Sequence, residues 1–277
     1  MEERHGHLDK KIYIKAKKIE IGKKVIFGNN TDIRINGDLN IGDRTHFGDN
    51  IHIRGNNITF GEDVFCSGGL RIGGGGRNNP TADFNIGDRC TIHNNFINIC
   101  KRVSIGNDVG LSPDVAILTH GYWLSVLEGY PAKFEEVLIG NKVIVGYRSL
   151  IMMGVQIGYG AVVGANSVVT KNLRPKSIYA GNPARFIREV IPLTGIKRIE
   201  RLKYIIKEYE PIAQFHGIEP DIELVYPQIY FAGCEFNVET FMVYGEENEE
   251  TDDFRDYLRK WGLRFYTDRP FKIKKVQ

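Results

Sequence analysis

The stretch IGNKVIVGYRSLIMMGVQIGYGAVVGANSVVT, residues 139–170, places an aliphatic side chain at every sixth position. These positions are Ile139, Val145, Ile151, Ile157, Val163 and Val169. An α-helix cannot keep a six-residue period on one face, because its 3.6 residues per turn rotate the stripe away. The stretch also lacks the long polar–apolar alternation and the hairpin turns of a flat sheet. The repeat therefore indicates a coil with several short sides.

The same step of six extends towards the N-terminus, where it can be written as triplets. They are Ile21, Phe27, Ile33; Ile41, Phe47, Ile53; Phe60, Cys66, Ile72; Ile86, Ile92, Asn98; and Ile105, Leu111, Ile117. Residues 139–169 supply two further triplets. Each triplet corresponds to three short strands, and about 18 residues complete one turn, as in stacked solenoid repeats. We predict a parallel β-solenoid of about seven coils over residues 12–174.

Two segments interrupt the register, residues 73–85 and residues 118–138. Insertions into a repeat array form surface loops, and long loops often carry function. The first contains the run Gly73 to Gly76. This run lacks the Lys-Ser/Thr of a phosphate-binding loop and its strand-to-helix context, so we predict a flexible loop.

The segment VVGANSVVTKNLRPKSIYAGNPARFIRE, residues 162–189, is the most specific part of a resemblance to the hexapeptide-repeat acyltransferases. Within that family the chain is most similar to sugar and polysaccharide O-acetyltransferases of the galactoside and maltose type, and the match covers residues 20–189. The resemblance implies a left-handed parallel β-helix and an acetyl group taken from acetyl-CoA as co-substrate, without a metal. It also implies a homotrimer with each active site between two chains.

His120 is the strongest candidate catalytic residue, because it lies where the repeat ends and the second interruption begins. The catalytic histidine of the similar acyltransferases has the matching place. An imidazole titrates near pH ~6.5, so it can accept a proton from a sugar hydroxyl and pass it to the departing thiolate. The alternative is a surface histidine without a task.

The resemblance also implies contacts to coenzyme A. The matching residues are Tyr147, Ala165, Thr170, Lys171, Arg185 and Arg188. The last two would reach the phosphates, which suit a guanidinium group. For the basic residues alone, a solvated tail is the alternative. Ile144 stands where relatives often carry Trp, so an aromatic contact at that place is not expected.

Acceptor recognition has weaker signals. Asn94 and Asn95 lie near the position of a sugar-binding asparagine in relatives, and Asp83 and Arg77 belong to the first interruption. Plain corner residues are an equal interpretation of both asparagines. Lys101-Arg102 replaces an acidic residue of some sugar acetyltransferases, which argues against copying the galactoside or maltose acceptor.

After Glu189 the repeat stops, and residues 190–277 predict a small α/β appendage of unknown role, distinct from the β-helix of residues 1–189. Apolar residues at helical spacing predict a helix from Ile196 that Pro211 terminates. Residues 223–231 and 235–244 predict two strands. Thr251 is expected to cap a second helix. Residues 264–266 are expected to form a further strand.

Lysines alternate with isoleucines at the start of the repeat. They are Lys10, Lys11, Lys15, Lys17, Lys18, Lys23 and Lys24. Lysine commonly protects an exposed sheet edge, so we predict a first strand that caps the solenoid. An anionic-glycan patch is the alternative.

The composition is that of a globular protein, with 42% hydrophobic residues, 26% charged residues and a net charge of +3. It excludes a disordered or collagen-like chain. Four cysteines without CxxC spacing indicate neither a disulfide framework nor a zinc ribbon, and no histidine pair has the spacing of a three-histidine zinc site. The charged start has no secretory signal, so we expect a cytoplasmic protein without membrane span or nucleic-acid partner.

The leading hypothesis is a CoA-dependent O-acetyltransferase that acts on a hydroxyl of a sugar or surface-polysaccharide precursor. A backbone N–H would stabilise the oxyanion. A close alternative is N-acylation of a nucleotide-linked amino sugar, which needs no strong base. A third hypothesis, from a different class, is a non-catalytic scaffold, since solenoids offer long binding surfaces.

Overall fold

The computed structural model describes residues 11–75 and 79–269. Short parallel strands form three sheets, here walls 1, 2 and 3, which the chain visits in that order in each turn. Wall 1 contains Ile12–Lys15, Thr31–Ile35, Ile51–Gly55, Arg71–Gly73, Phe96–Asn98, Ala116–Ile117, Leu150–Ile151 and Val168–Val169. Wall 2 contains Lys18–Ile21, Asp38–Ile41, Ile58–Phe60, Phe84–Ile86, Val103–Ile105, Val137–Ile139 and Gln156–Ile157. Wall 3 contains Ile26–Phe27, His46–Asp49, Phe65–Gly68, Thr91–Ile92, Gly110–Leu111, Ile144–Val145, Val162–Val163 and Ser177–Ala180, and Arg185–Glu189 closes it as an antiparallel strand.

The predicted fold class, a left-handed parallel β-helix with a small C-terminal α/β appendage, is confirmed. The helix has about eight turns rather than seven. The difference arises at both ends, because Ile12–Lys15 precedes the first triplet and Ser177–Ala180 follows the last. The solenoid thus continues beyond residue 174.

The triplet residues form the core, as predicted, with one correction. From Ile33 to Val169 their side chains are buried along the axis. Ile97, and not Asn98, pairs with Ile72 at the inward position of wall 1. The step from Ile92 to Ile97 is five residues, so Asn98 occupies the next position, which faces out of the wall because strand side chains alternate.

The three edges between the walls are stabilised by side chains that bind the backbone of the neighbouring turn. We call them the first edge (wall 1 to 2), the second (2 to 3) and the third (3 to 1). At the second edge, the Asn107 N–H donates to Asn141 Oδ1 and the Asp88 N–H donates to Asn107 Oδ1, each at 2.9 Å. The residues that directly follow Asp88 and Asn107 have a positive φ. They are Arg89 (54°) and Asp108 (58°), and their side chains form an ion pair at 2.9 Å.

Both interruptions of the repeat leave the solenoid at the first edge. The chain leaves wall 1 after Gly73 and re-enters wall 2 at Phe84. The second interruption, here the arm, comprises residues 118–136 between Ile117 and Val137. Within the arm, His120–Gly121 pairs antiparallel with Lys133–Phe134, and a 3₁₀ turn covers Val126–Glu128.

A second compact unit begins at Ile191. It contains helix α1, Ile196–Phe215, and helix α2, Glu249–Lys260. A four-stranded antiparallel sheet lies between them in sequence, formed by Ile222–Val225, Gln228–Phe231, Cys234–Asn237 and Met242–Tyr244. Tyr209, Phe236 and Phe254 are fully buried in the separate core of this unit.

Four predictions for this unit were wrong in detail. Helix α1 continues through Pro211, because Ala213 in its last turn is buried in the core. Each predicted strand is a pair of strands joined by a turn. Asn248 caps α2, and Thr251 completes a capping box from inside the helix. Tyr266 makes only an isolated bridge to Met242 where a strand was expected.

The four cysteines all lie within the described residues, where they are buried and form no disulfide. Neither α1 nor α2, nor any other helix among the described residues, is long and apolar enough to cross a membrane.

Substituting Gly42 tests the close stacking of the turns. A Cβ on Gly42 would lie 2.5 Å from the carbonyl carbon of Gly61 in the next turn. Because backbone cannot yield as a side chain end can, we expect Gly42→Ala to lower the free energy of unfolding by about 1–3 kcal/mol in urea denaturation. The matched control is Gly110→Ala, since a Cβ there has no heavy atom within 4 Å. Equal stability of the two variants would contradict this account.

Candidate active site

His120 lies at the first edge, at the start of the arm. It begins the short strand that pairs with Lys133–Phe134, so its backbone is held on one side by the returning arm. Thr119, directly before it, is fully buried. The His120 side chain is half-buried and is therefore partly accessible to solvent.

Asn98 fixes the orientation of the imidazole. Its Oδ1 lies 2.8 Å from His120 Nδ1 and 2.6 Å from the Thr119 hydroxyl, which can donate to it. Its Nδ2 donates to the carbonyl of Gly74. The amide is almost completely buried, and it is oriented by partners at both ends.

These contacts determine which nitrogen of His120 can act as a base. An amide oxygen only accepts hydrogen bonds, so Nδ1 must carry the proton that it donates to Asn98. In a neutral imidazole the proton-accepting lone pair is then on Nε2. The arrangement can remove a proton from a bound hydroxyl at Nε2 while Asn98 holds the ring.

Aromatic rings and a glycine run surround the imidazole. The Phe134 ring stacks on it at 5.9 Å between centroids, and Tyr122 lies at 5.4 Å. A Cβ on Gly75 would lie 2.9 Å from His120 Cε1. The glycine run, predicted to be a flexible loop, therefore reaches the site at Gly75, where the missing side chain allows the backbone to approach the ring.

The predicted coenzyme A contacts fall on two different edges. Thr170 and Lys171 follow wall 1 at the first edge, two turns beyond the turn that His120 leaves. Both are exposed. Tyr147 and Ala165 lie at the third edge in successive turns, where the Asn166 N–H donates to the Tyr147 carbonyl at 2.8 Å. One chain thus brings Thr170 and Lys171, but not Tyr147 and Ala165, to the edge of His120.

Arg185 and Arg188 belong to the closing antiparallel strand of wall 3 and are exposed. Arg185 pairs with Ala180, at the end of its strand nearest the third edge. The Arg188 guanidinium donates to the carbonyl of Glu189 at 3.0 Å. Ile144, where no aromatic contact was expected, presents an aliphatic side chain that is 52% exposed on the same wall.

The two asparagines predicted to bind the acceptor lie at the third edge, away from His120. Asn95 is fully buried, donates to the Ser112 carbonyl at 2.8 Å and accepts from the His93 N–H. Asn94 is exposed, and its amide binds Asp114 in the next turn. These contacts are those of corner residues, the alternative interpretation of the sequence.

Asp83 lies at the first edge, where the first interruption re-enters wall 2. Its Oδ1 accepts from the backbone and side-chain N–H groups of Asn57 at 3.1 and 3.0 Å. The backbone of Lys101, at the same edge, donates to the Thr119 hydroxyl at 3.1 Å. Arg77 lies outside the described residues.

Sequence reasoning missed Asn98, Thr119 and the role of Gly75. Asn98 was assigned to the apolar wall by strict six-residue counting. A polar residue at an apolar position of the repeat was the available signal. In residues 11–75 and 79–269, there is no group of three or more His, Cys, Asp or Glu side chains placed to hold a metal ion.

Several curated acetyltransferases are similar to part of this chain. A probable macrolide acetyltransferase of Lysinibacillus sphaericus is 51% identical over 63 residues, which are 23% of this chain and 34% of the relative. The galactoside O-acetyltransferase of Escherichia coli K12 is 38% identical over 98 residues, covering 32% of this chain and 44% of the relative. The chain spans about a quarter to a half of the curated relatives that it matches. No family model matches it.

Solved structures give matches of low overall similarity. AntD, an N-acyltransferase from Bacillus cereus in complex with dTDP and 3-hydroxybutyryl-CoA, is 20% identical, with coverage of 69% of this chain and 91% of that chain and a TM-score of 0.43. A galactoside acetyltransferase in complex with coenzyme A is 27% identical, with coverage of 49% and 65% and a TM-score of 0.33. The predicted resemblance of this chain to hexapeptide-repeat acetyltransferases, the galactoside O-acetyltransferase among them, is confirmed.

Proposed function

We propose that this protein is an acetyl-CoA-dependent O-acetyltransferase that acts on a hydroxyl of a sugar or surface-polysaccharide precursor. The observation that carries the proposal is the hydrogen bond between His120 Nδ1 and Asn98 Oδ1 at 2.8 Å. It leaves Nε2 as the proton acceptor of the neutral ring. The similarity to curated acetyltransferases supports the acetyl donor.

In this reaction His120 moves one proton twice. Nε2 accepts the proton of the attacking hydroxyl as the bond from oxygen to the acetyl carbon forms. The carbon–sulfur bond then breaks, and the same proton passes from Nε2 to the thiolate of coenzyme A. Asn98 keeps Nδ1 protonated in both steps, so the ring returns to its starting state.

Thr170 and Lys171 would bind the donor along the first edge. Tyr147, Ala165, Arg185 and Arg188 would bind it from the third-edge side. Because these sets are on different edges, one chain does not present them together. Asp83 and Asn94 stay candidates for acceptor contacts at their respective edges, whereas the contacts of Asn95 favour a structural role.

A homotrimer would unite these sets by placing the third edge of one chain beside the first edge of the next. The arm offers the surface for such an interface. Trp123 and Leu127 at its tip are 90% and 95% exposed, and Tyr122 and Leu124 are more than half exposed. A cluster of large apolar side chains this exposed is typical of an interaction site.

Replacing His120 tests the proposed chemistry. His120→Ala should lower kcat for transfer to a sugar hydroxyl about 10²- to 10⁴-fold, because the general base is lost. Thiol release from acetyl-CoA, measured with a panel of sugars, amino sugars and nucleotide sugars, reports the rate. Acetyl-CoA should still raise the melting temperature of the variant.

His46→Ala is the control for this experiment, since His46 lies on wall 3 and stacks on Phe65. Substantial activity of His120→Ala on an amino sugar alone would favour N-acylation. If acetyl-CoA does not raise the melting temperature of the unmodified chain, the scaffold hypothesis replaces the enzyme.

The pH dependence tests the positioning role of Asn98. In Asn98→Asp a carboxylate beside Nδ1 favours the imidazolium form, which cannot accept a proton. The acidic limb of the kcat/KM profile should therefore move to higher pH by about one unit. Asn98→Ala, which adds no charge, should lower kcat without this displacement. Identical profiles for all three proteins would contradict the role.

The proposed interface is tested by removing the apolar tip of the arm. Trp123→Ser combined with Leu127→Ser should raise the trimer dissociation constant at least about tenfold, because buried aromatic and aliphatic anchors dominate interface energies. Sedimentation velocity measures the assembly. Phe215→Ser, which removes an 88% exposed ring from the second unit, is the control. A monomeric unmodified chain would refute the trimer.

A further inference from the structure

Among the described residues, which begin at residue 11, the solenoid core is uncovered at its N-terminal end. Ile19 and Ile21 point inward in the first turn, yet they are 45% and 44% exposed. Their partners one turn along, Leu39 and Ile41, are 0% and 3% exposed. The exposure therefore comes from the lack of a further turn beneath the first within the described residues, and not from the direction of the side chains.

The last turn differs. Its inward residues Val169, Leu173 and Tyr179 are at most 8% exposed. On the first turn Ile12, Tyr13 and Ile26 are also 43–50% exposed. The N-terminal end thus combines an uncovered core with further exposed apolar side chains on its rim.

Lysines lie beside this apolar end on two of its walls and two of its edges. Lys15 lies on wall 1, Lys17 at the first edge, Lys18 on wall 2, and Lys23 and Lys24 at the second edge. With Lys11, residues 11–30 contain six exposed lysines and one acidic residue, Glu20, which pairs with Lys18 at 2.5 Å. We call this surface, residues 11–27, the basic end.

The charge and the apolar centre limit what can cover the basic end. A second copy bound end to end would bring two clusters of like charge together. Residues 1–10 lie outside the described residues, and Met1 and Leu8 are the large apolar side chains that their sequence offers. A soluble anionic glycan would pair with the lysines but leave the isoleucines in water. An anionic lipid surface satisfies both, since its headgroups attract lysines while apolar side chains enter the acyl boundary.

We propose that the basic end docks the protein on membranes rich in anionic lipids, with the solenoid axis pointing away from the bilayer. The arrangement fits the general requirement for two weak signals, apolar contact and a cluster of four to eight cations. His120 and the arm leave the sixth turn of the solenoid, so docking leaves them away from the bilayer. The proposal does not depend on the acetyl-transfer reaction.

Vesicle flotation of the full chain tests the proposal. The probes are phosphatidylcholine vesicles with and without phosphatidylglycerol, at low and high sodium chloride. We expect binding to the anionic vesicles at low salt and its loss at high salt, because exposed charges are screened. The quadruple change K15Q, K17Q, K18Q and K23Q should weaken binding at least about tenfold.

The matched control is K142Q, K197Q, K203Q and K207Q, which removes the same charge from exposed lysines elsewhere. It should bind like the unmodified chain. A second variant, Ile19→Gln with Ile21→Gln, tests the apolar centre, and its melting temperature shows whether it is folded. Equal binding to neutral vesicles, no binding to anionic vesicles, or an equal loss in the control each overturns the proposal.

Discussion

The structure depends on backbone hydrogen bonds between turns that are stacked at one strand spacing. Such close stacking leaves no room for a side chain at those edge positions where the backbones of two neighbouring turns lie against each other. A Cβ on Gly42 or on Gly146 would lie 2.5 Å from a backbone atom of the following turn. The glycine after the aliphatic residue is therefore a requirement of the stack, and the six-residue period follows from walls of this width.

The solenoid could be predicted because every turn obeys the same constraint. A single aliphatic period placed the core from Ile33 to Val169. The number of turns was underestimated because the outermost strands lack a complete triplet. The second unit obeys no repeat, and its details were wrong where tertiary packing overrode a local signal, as when burial of Ala213 extends α1 beyond Pro211.

The candidate base was predictable from its place at the end of the register, but its partner was not. Strict counting assigned Asn98 to the inward position of wall 1, because a single step of five residues, from Ile92 to Ile97, cannot be distinguished by period alone. The contact of Gly75 with His120 joins segments 45 positions apart in sequence, and only the stacking of turns brings them together. For Asn95 the sequence left two interpretations open, and the contact of its amide with the Ser112 carbonyl favours the corner residue.

The stacked turns also fix the distances between sites along the solenoid axis. His120 leaves the sixth turn and Thr170 the eighth, so two strand spacings, about 10 Å, separate their levels along the axis. Inserting or deleting one complete turn between them would change this separation in a single step of about 5 Å, without altering either local environment. The distance between His120 and Thr170 along the first edge can therefore change only in steps of one turn. Chains with different numbers of turns would accommodate ligands whose lengths differ by the same steps.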